Sequence, residues 1–268
     1  MPDSSEKIAI EVHNLTVSYE RKPVLWDIDF YIPEGKLAGI IGPNGSGKTT
    51  LLKSMMGLLK SDSGYIKVFG DNLAEVRSRV SYVPQRESVD WDFPANVLDV
   101  VLMGRYSPKN ILKSLSKNDH EIAWESLKKV GMQDFAKQQI SKLSGGQQQR
   151  VFIARSLAQK ADLYIMDEPF AGVDAATENS ILTLLQEMKS EGKTVVVVHH
   201  DLESAKRYFD WMILLNTRLV TFGDKEKVFT EENLLNTYGG KSTILSKLGQ
   251  IIKQQHFPIR EKDVKDQL

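Results

Sequence analysis

The 268-residue chain contains no cysteine, so it can form neither a disulfide nor a thiolate metal centre. It also lacks an excess of charge: 35 lysines and arginines balance 35 aspartates and glutamates, and no global field singles out nucleic acid or an anionic surface as partner. No stretch approaches the roughly 18 to 20 apolar residues that a membrane span needs. The opening MPDSSEKIAIEV carries acidic residues and no apolar run of signal-peptide length. Any link to a membrane is therefore expected to go through a partner. Internal repeats and low-complexity segments are absent as well. What remains is ordinary for a globular protein, with 41% hydrophobic and 26% charged residues, and a length that allows one large domain or a domain carrying an insertion.

Apolar periodicity organises the chain. Ile8, Ile10 and Val12, then Leu15, Val17 and Tyr19, alternate with polar neighbours as a half-exposed strand pair would. KLAGII (36–41) is nearly all apolar and runs into a glycine-rich loop, the signature of a buried central strand. Beyond the loop, Leu51, Leu52, Met55, Met56 and Leu59 fall at helical spacing. GYIKVFG (64–70) and VSYVPQ (80–85) read as short strands, DLYIMD (162–167) and TVVVVHH (194–200) as buried parallel strands, and WMILL with LVTFG as a terminal hairpin. Between Arg86 and Lys160 helical patterns replace strands: Leu98, Val101 and Leu102; Ile122, Leu127 and Val130; Val151, Ala154, Leu157 and Ala158. An α/β core with a helical insertion accounts for this order. From Lys241, Ile244, Leu245, Leu248, Ile251 and Ile252 fit a docked or fraying helix ahead of the charged end REKDVKDQL.

Two segments are suited to hold phosphate. GPNGSGKT (42–49) fits the Walker A pattern in its required strand-to-helix setting. Its glycines let backbone N–H groups converge on phosphate oxygens, the helix N-terminus adds positive potential, Lys48 supplies a charge to the β and γ phosphates, and Thr49 offers a hydroxyl to Mg²⁺. Such a loop needs a carboxylate at a neighbouring strand end, which Asp167 supplies. Glu168 follows it and is expected on the opposite side of the strand, toward the γ-phosphate, where it can orient and polarise a water. The second segment, KLSGGQQQR (142–150), is a Ser-Gly-Gly turn that opens a helix. His199 and His200 invite a metal reading, but adjacent strand residues face opposite sides and make poor co-ligands.

GPNGSGKT, Gln85, LSGGQ (143–147), LYIMDEP, AGVD and His200 occur in the order and rough spacing of the nucleotide-binding subunit of an ATP-binding cassette transporter, and the chain resembles that family from about Ile8 to Gly223. The resemblance implies a P-loop NTPase (RecA-like) α/β core with an N-terminal antiparallel β subdomain and an inserted α-helical subdomain. The ATPase domain would span 8–240, with its core at 8–85 and 161–223, a helical subdomain at about 86–160, and a tail at 241–268. ATP and Mg²⁺ are the implied ligands. Tyr19 matches the aromatic that stacks on adenine, while Gly42, Pro43, Asn44, Gly45, Ser46, Gly47, Lys48, Thr49 and Thr50 hold the phosphates. Thr49, Gln85 and Asp167 face Mg²⁺, and Glu168, Gln85 and His200 serve hydrolysis. Asp174 resembles the aspartate that communicates between two sites. Ser144, Gly145, Gly146 and Gln147 of one copy would cap the γ-phosphate held by Lys48 of a second, so the two phosphate cradles become halves of shared sites.

The wording of SVDWDFPANVLDVVLMGRY (88–106) and DEPFAGVDAAT, with Phe170 where many other cassette ATPases have Thr, resembles the ATPases of bacterial importers for manganese, zinc or iron ions. This implies a second copy or a homologous ATPase subunit as partner, transmembrane permease subunits, an extracytoplasmic metal-binding protein reached through the permease, no nucleic acid, and a peripheral place on the cytoplasmic face of the inner membrane. Trp91 to Phe93 and Arg105 to Tyr106 are expected to form a docking groove for a partner helix. The alternatives are an importer of an iron chelate or other small solute, and a soluble cassette ATPase. DNA-repair members carry a coiled-coil insertion for which this chain has no heptads, and translation members usually join two cassettes. A generic P-loop kinase is disfavoured by LSGGQ and by the placement of Glu168. The role of His199 is left open.

Overall fold

The computed structural model describes residues 6–20, 22–106 and 114–239, and the helix expected beyond Lys241 lies outside the described residues. At the N-terminus β1 (Ile8–Tyr19) pairs antiparallel with β2 (Lys22–Pro33). The sequence pattern suggested two strands over 8–19, but β1 is one strand whose alternation changes phase at Asn14. Asn14 adopts φ 46°, its backbone N–H donates to Asp29 Oδ2 at 2.7 Å, and its side chain donates to Asp27 Oδ1 at 3.1 Å. That bulge moves Leu15 and Val17 onto the same buried face as Ile10 and Val12.

The chain continues through β3 (Leu37–Ile41), α1 (Lys48–Met55), β4 (Ser63–Val68), α2 (Leu73–Val76) and β5 (Val80–Val83). A helical arm follows, with α3 (Val97–Leu102), α4 (Lys117–Lys129) and α5 (Gly145–Ala158). Then come β6 (Leu163–Asp167), α6 (Ala175–Ser190), β7 (Thr194–His199), α7 (Leu202–Tyr208), β8 (Trp211–Asn216), β9 (Arg218–Asp224), α8 (Lys225–Val228) and α9 (Glu231–Tyr238). β4 completes a three-stranded antiparallel sheet in the order β2-β1-β4, and the second sheet runs β5-β6-β7-β3-β8-β9. Its first five strands are parallel and β9 returns antiparallel as the hairpin partner of β8.

Every residue of β3, β6 and β7 is buried. Strands covered on both faces have no polar position to spare, which is why these three read as unbroken apolar runs. One face, with Ile40, Ile165, Val196 and Val198, packs on α1 and the N-terminal sheet. The other, with Ile41, Met166, Val195 and Val197, packs on the arm and on α6, α7 and α9. Phe209, after α7, lies on Gly39 so closely that an added Cβ would meet the ring at 2.4 Å.

The three arm helices share one device at their N-termini. Asn96, Ser144 and Ser116 cap α3, α5 and α4, each answered by the residue three further on, Asp99, Gln147 or Asp119. Arg105 joins two of these helices: its Nε donates to Asp119 Oδ1 at 2.9 Å and its Nη1 to the Ala158 carbonyl at 2.6 Å. Arg105, expected at a docking groove, is thus part-buried and tied to α4 and α5, while its neighbour Tyr106 is exposed. Hydrogen bonds from Ser116 and Arg105 hold the Asp119 carboxyl down at about 2. A carboxyl whose folded value is depressed stabilises fully above the ordinary carboxylate range and loses that contribution as pH falls toward its folded value. Asp119→Asn should lower the urea midpoint at neutral pH, and the difference from wild type should shrink from about pH 4 downward and approach zero near pH 2; a pH-independent difference would exclude this linkage.

Candidate active site

In the order β5-β6-β7-β3, four neighbouring parallel strands end side by side, with Asp167 of β6 level with Val198 of β7, and Ile41 of β3 level with His199. Ligands of open α/β sheets bind outside such carboxyl ends. Here those ends carry Gln85, Asp167 with Glu168, His199 with His200, and the 42–49 loop. A cleft of about 430 Å³ opens above them, lined by Val24, Asn44, Gly45, Gly47 to Thr50, Gln85, Glu168 and His200.

The 42–49 loop is shaped by close approach. A Cβ on Gly42 would stand 2.0 Å from the Leu215 carbonyl oxygen, and Gly47, at φ 97°, lies against Leu25 and Val24 of β2. Gly47 is the N-cap of α1, so the first backbone N–H groups of that helix face the cleft. The Lys48 ammonium folds back on the loop, donating to the carbonyls of Gly42 at 2.8 Å and Pro43 at 2.9 Å. Burial lowers its pKa, and the carboxylates of Glu168 and Asp167 oppose that shift.

Beneath Lys48 sits Asp167, 1% exposed. Thr49 Oγ1 lies 3.4 Å from its Oδ1, while its Oδ2 is buried without a hydrogen-bond partner. Burial raises this carboxyl to about 6, with Glu168 adding to the shift and Thr49, Lys53 and Lys48 opposing it. A buried carboxylate oxygen without a donor, on a carboxyl next to the Thr49 hydroxyl of the phosphate loop, fits a hard divalent cation such as Mg²⁺.

Strand alternation does not explain Glu168. β6 ends at Asp167, and Glu168 turns in a left-handed conformation at φ 49°. That turn, uncommon for a residue with a Cβ, brings its carboxylate to the cleft wall, where Oε2 is 3.9 Å from His200 Nδ1. His199 is buried at the end of β7 and His200 is exposed past it. Because His200 has left the strand, the two rings do not face opposite sides as alternation suggested but lie with centroids 5.7 Å apart. Among the described residues, no group of three or more His, Asp or Glu side chains is placed to hold a metal ion.

The remaining expected residues lie outside this cleft. Tyr19 is exposed at the end of β1. Ser144 is the N-cap of α5, and the Gln147 side chain accepts from the Ser144 N–H at 2.8 Å, so Ser and Gln of LSGGQ form the two halves of a capping box. None of Ser144 to Gln147 lines the cleft of its own chain. Asp174 caps α6 by accepting from Thr177 N–H at 2.7 Å, a bond that also holds its carboxyl below the usual range.

Two residues that periodicity does not single out tie these parts together. Arg86, directly after Gln85, donates Nε and Nη2 to Gln148 Oε1 at 3.2 and 3.1 Å, and its guanidinium lies 3.0 Å from where a Cβ of Gly145 would stand. Gln148 in turn donates to the Ile140 carbonyl. The available signal is the pair Gln148 and Gln149 directly ahead of the apolar run of α5, both of which are buried. Val24, at the cleft wall, belongs to β2, whose Ile28, Phe30 and Ile32 alternate and could have been read as a strand.

Residues 25–171 match the family model described as ABC transporter. The manganese transport system ATP-binding protein MntB of Bacillus subtilis is 61% identical over 236 residues, covering 88% of this chain and 94% of that protein. This chain belongs to the ABC transporter family. The zinc transport system ATP-binding protein TroB of Treponema pallidum is 54% identical, covering 89% of this chain and 90% of that protein. Among solved structures, an inward-facing putative metal-chelate type ABC transporter superposes with a TM-score of 0.76 at 30% identity, covering 86% of this chain and 88% of that one. The ABC ATPase thus has the P-loop core, N-terminal antiparallel sheet and inserted helical arm expected of it, and it is an ATP-hydrolysing transporter subunit. Because the Gly42 contact is with backbone, Gly42→Ala should weaken ATP binding at least about tenfold, roughly 1.4 kcal/mol, and lower the melting temperature. Equilibrium nucleotide titration checks this; wild-type affinity would mean that the loop relaxes around the methyl.

Proposed function

We propose that this ATPase powers the import of a divalent metal ion, manganese, zinc or iron, by closing as a dimer around two ATP molecules. The observation that carries the hydrolytic reading is the single cleft that joins the 42–50 loop to Gln85, Glu168 and His200. The cargo class rests on the manganese and zinc systems whose ATP-binding proteins match nearly the full chain at 61% and 54% identity. An iron-chelate importer is the second reading, favoured by the metal-chelate type transporter at 30% identity.

In this reading the catalytic core comprises residues 8–85 and 161–223, the arm about 86–160, and the whole ATPase domain 8–240. Gly42 to Thr50 wrap the phosphates, Lys48 exchanges its loop carbonyls for phosphate oxygens, and Tyr19 stacks on adenine. Thr49, Gln85 and Asp167 would hold Mg²⁺, which when bound offsets charge on the β and γ phosphates. Glu168 orients a water and accepts its proton as the water oxygen bonds to the γ-phosphorus and the bond to the bridging oxygen breaks. His200 donates to the γ-phosphate from beside Glu168. The N-terminus of α5, with Ser144, Gly145, Gly146 and Gln147, caps the γ-phosphate of the second copy, and Asp174 links the two sites. That the LSGGQ turn does not line its own chain's cleft supports this division of labour.

No helix among the described residues is long and apolar enough to cross a membrane. We assign the ion path to permease subunits, capture to an extracytoplasmic metal-binding protein, and this ATPase to the cytoplasmic face of the inner membrane. Trp91 is suited to relay permease motion: its indole Nε1 donates to the Arg86 carbonyl at 2.9 Å and its ring packs on Phe152 at 4.8 Å. The permease contact then connects through Arg86 and Gln148 to α5.

Glu168→Gln should bind ATP with near wild-type affinity, lose turnover at least about a hundredfold and accumulate as a nucleotide-bound dimer, read by light scattering; brisk hydrolysis would remove Glu168 from its role. Trp91→Ala with Phe93→Ala should keep basal ATPase activity within about threefold but abolish transport-coupled stimulation in vesicles holding the co-encoded permease and binding protein. Stimulation by manganese, zinc or iron ions identifies the cargo, stimulation only by a chelate selects the second reading, and normal uptake by the variant excludes the docking face.

A further inference from the structure

His199 has no part in the reading above, yet its ring is enclosed beside both hydrolytic side chains. It is 4% exposed, and its Nε2 lies 2.6 Å from Ser204 Oγ. Ser204 donates that hydroxyl to Asp201 Oδ2 at 2.5 Å, and its backbone N–H donates to the same oxygen at 2.8 Å, making Asp201 the N-cap of α7. Hydrogen bonds from Ser204 keep the Asp201 carboxyl ionised against the effect of burial, so it can only accept. With its single proton committed to Asp201, Ser204 can only accept from His199, which fixes the proton on Nε2. Burial pushes the His199 pKa down to about 4, so the ring is neutral near pH 7. The chain His199 to Ser204 to Asp201 thereby closes a short loop that contains His200.

The other side of the ring meets the segment that carries Glu168. Phe170 stands edge-on to His199, with centroids 5.5 Å apart, and Tyr208 packs on Phe170 at 5.4 Å while donating its hydroxyl to Glu178 of α6 at 2.8 Å. A cavity of about 270 Å³ borders this group and is walled by Glu168, His200, Arg207 and Ser204. Glu168 and His200 therefore have space on that side as well as toward the nucleotide cleft, and packing alone does not fix them. We propose that His199 is a positioning residue for ATP hydrolysis: its Nε2–H bond to Ser204 holds the His200 turn, and its ring holds Phe170, so that Glu168 and His200 keep their mutual placement. The inference rests on the assignment of Glu168 and His200 to hydrolysis.

The test uses the full chain near neutral pH with Mg·ATP, measuring kcat, KM, equilibrium ATP binding and melting temperature. His199→Phe keeps a ring against Phe170 without a donor, His199→Gln keeps a donor near Nε2, and Ser204→Ala removes the acceptor while leaving the ring in place. His199→Phe and Ser204→Ala should each lower kcat about tenfold with KM and ATP affinity within about twofold, and the double variant should be no worse than either. His199→Gln should retain kcat within about threefold. Wild-type kcat in Ser204→Ala, or equal impairment of His199→Gln and His199→Phe, would overturn the proposal, as would losses that track melting temperature across all variants. Glu168→Gln run alongside separates the two failures: if it hydrolyses ATP the underlying assignment falls, whereas if it is inactive while Ser204→Ala is normal only the role of His199 falls.

Discussion

A parallel strand covered on both faces can present polar chemistry only where it ends, and the ABC ATPase is organised by that constraint. β3, β6 and β7 are buried along their whole length, and their register brings Ile41, Asp167 and His199 to one rim. Gln85, Glu168 and His200 are then one or two residues past the point where β5, β6 and β7 stop, and the phosphate loop follows the end of β3. Glu168 reaches its place through a left-handed turn, and the 42–49 loop reaches its own through glycines pressed against the backbone of β8 and the side chains of β2. Buried strands supply rigidity, and the irregular residues after them supply direction.

The same rim explains the electrostatics. Lys48, Asp167 and Glu168 share a small volume, and burial acts on them in opposite senses, lowering the lysine and raising the Asp167 carboxyl to about 6. The two carboxylates partly restore the lysine, whereas Glu168 adds to the rise of Asp167 and Thr49, Lys53 and Lys48 oppose it. Asp167 nevertheless keeps one oxygen without a donor, an arrangement that is costly in isolation and suited to a cation arriving with a nucleotide. The arm is built on a different principle, with reciprocal caps and the Arg105 clamp holding helices that share an apolar interior. A polar tether between the 85–86 turn and the start of α5 is the bond pair from Arg86 to Gln148, and Arg155 and Gln159 further along α5 donate to the Tyr82 and Val80 carbonyls of β5. On the proposed function, that tether lies between the permease contact and the start of α5.

Much of this was legible in the residues. Strands buried on both faces announce themselves as short β-branched runs, so β3, β6 and β7 were readable with their boundaries nearly intact, and the phosphate loop follows from the glycines after β3. Where alternation broke, reading failed. The phase change at Asn14 looked like the gap between two strands because a bulge and a turn leave the same trace in a hydrophobic pattern, and only pairing with β2 tells them apart. The direction of Glu168 was anticipated on the wrong ground, since alternation within a strand cannot describe a residue that has left it. The bonds of Arg105 to Asp119 and the Ala158 carbonyl were not legible, because those partners are remote in sequence.

His199 shows why such residues escape a motif-based reading. A histidine beside a functional histidine invites a metal or a duplicate of its neighbour, whereas here one ring is buried at the strand end and the other exposed past it, with centroids 5.7 Å apart. Its partners become visible only once α7 forms, because Ser204 is brought back to the strand end by the cap that Asp201 makes. Neither Ser204 nor Asp201 carries chemistry alone; Asp201 is a helix cap and Ser204 an early helical residue. The cap orients the hydroxyl, the hydroxyl selects the tautomer of the buried ring, and the ring rests on the aromatic that follows the Glu168 turn. On the proposed positioning role, a local device for starting a helix extends through three residues to the two side chains that face the nucleotide.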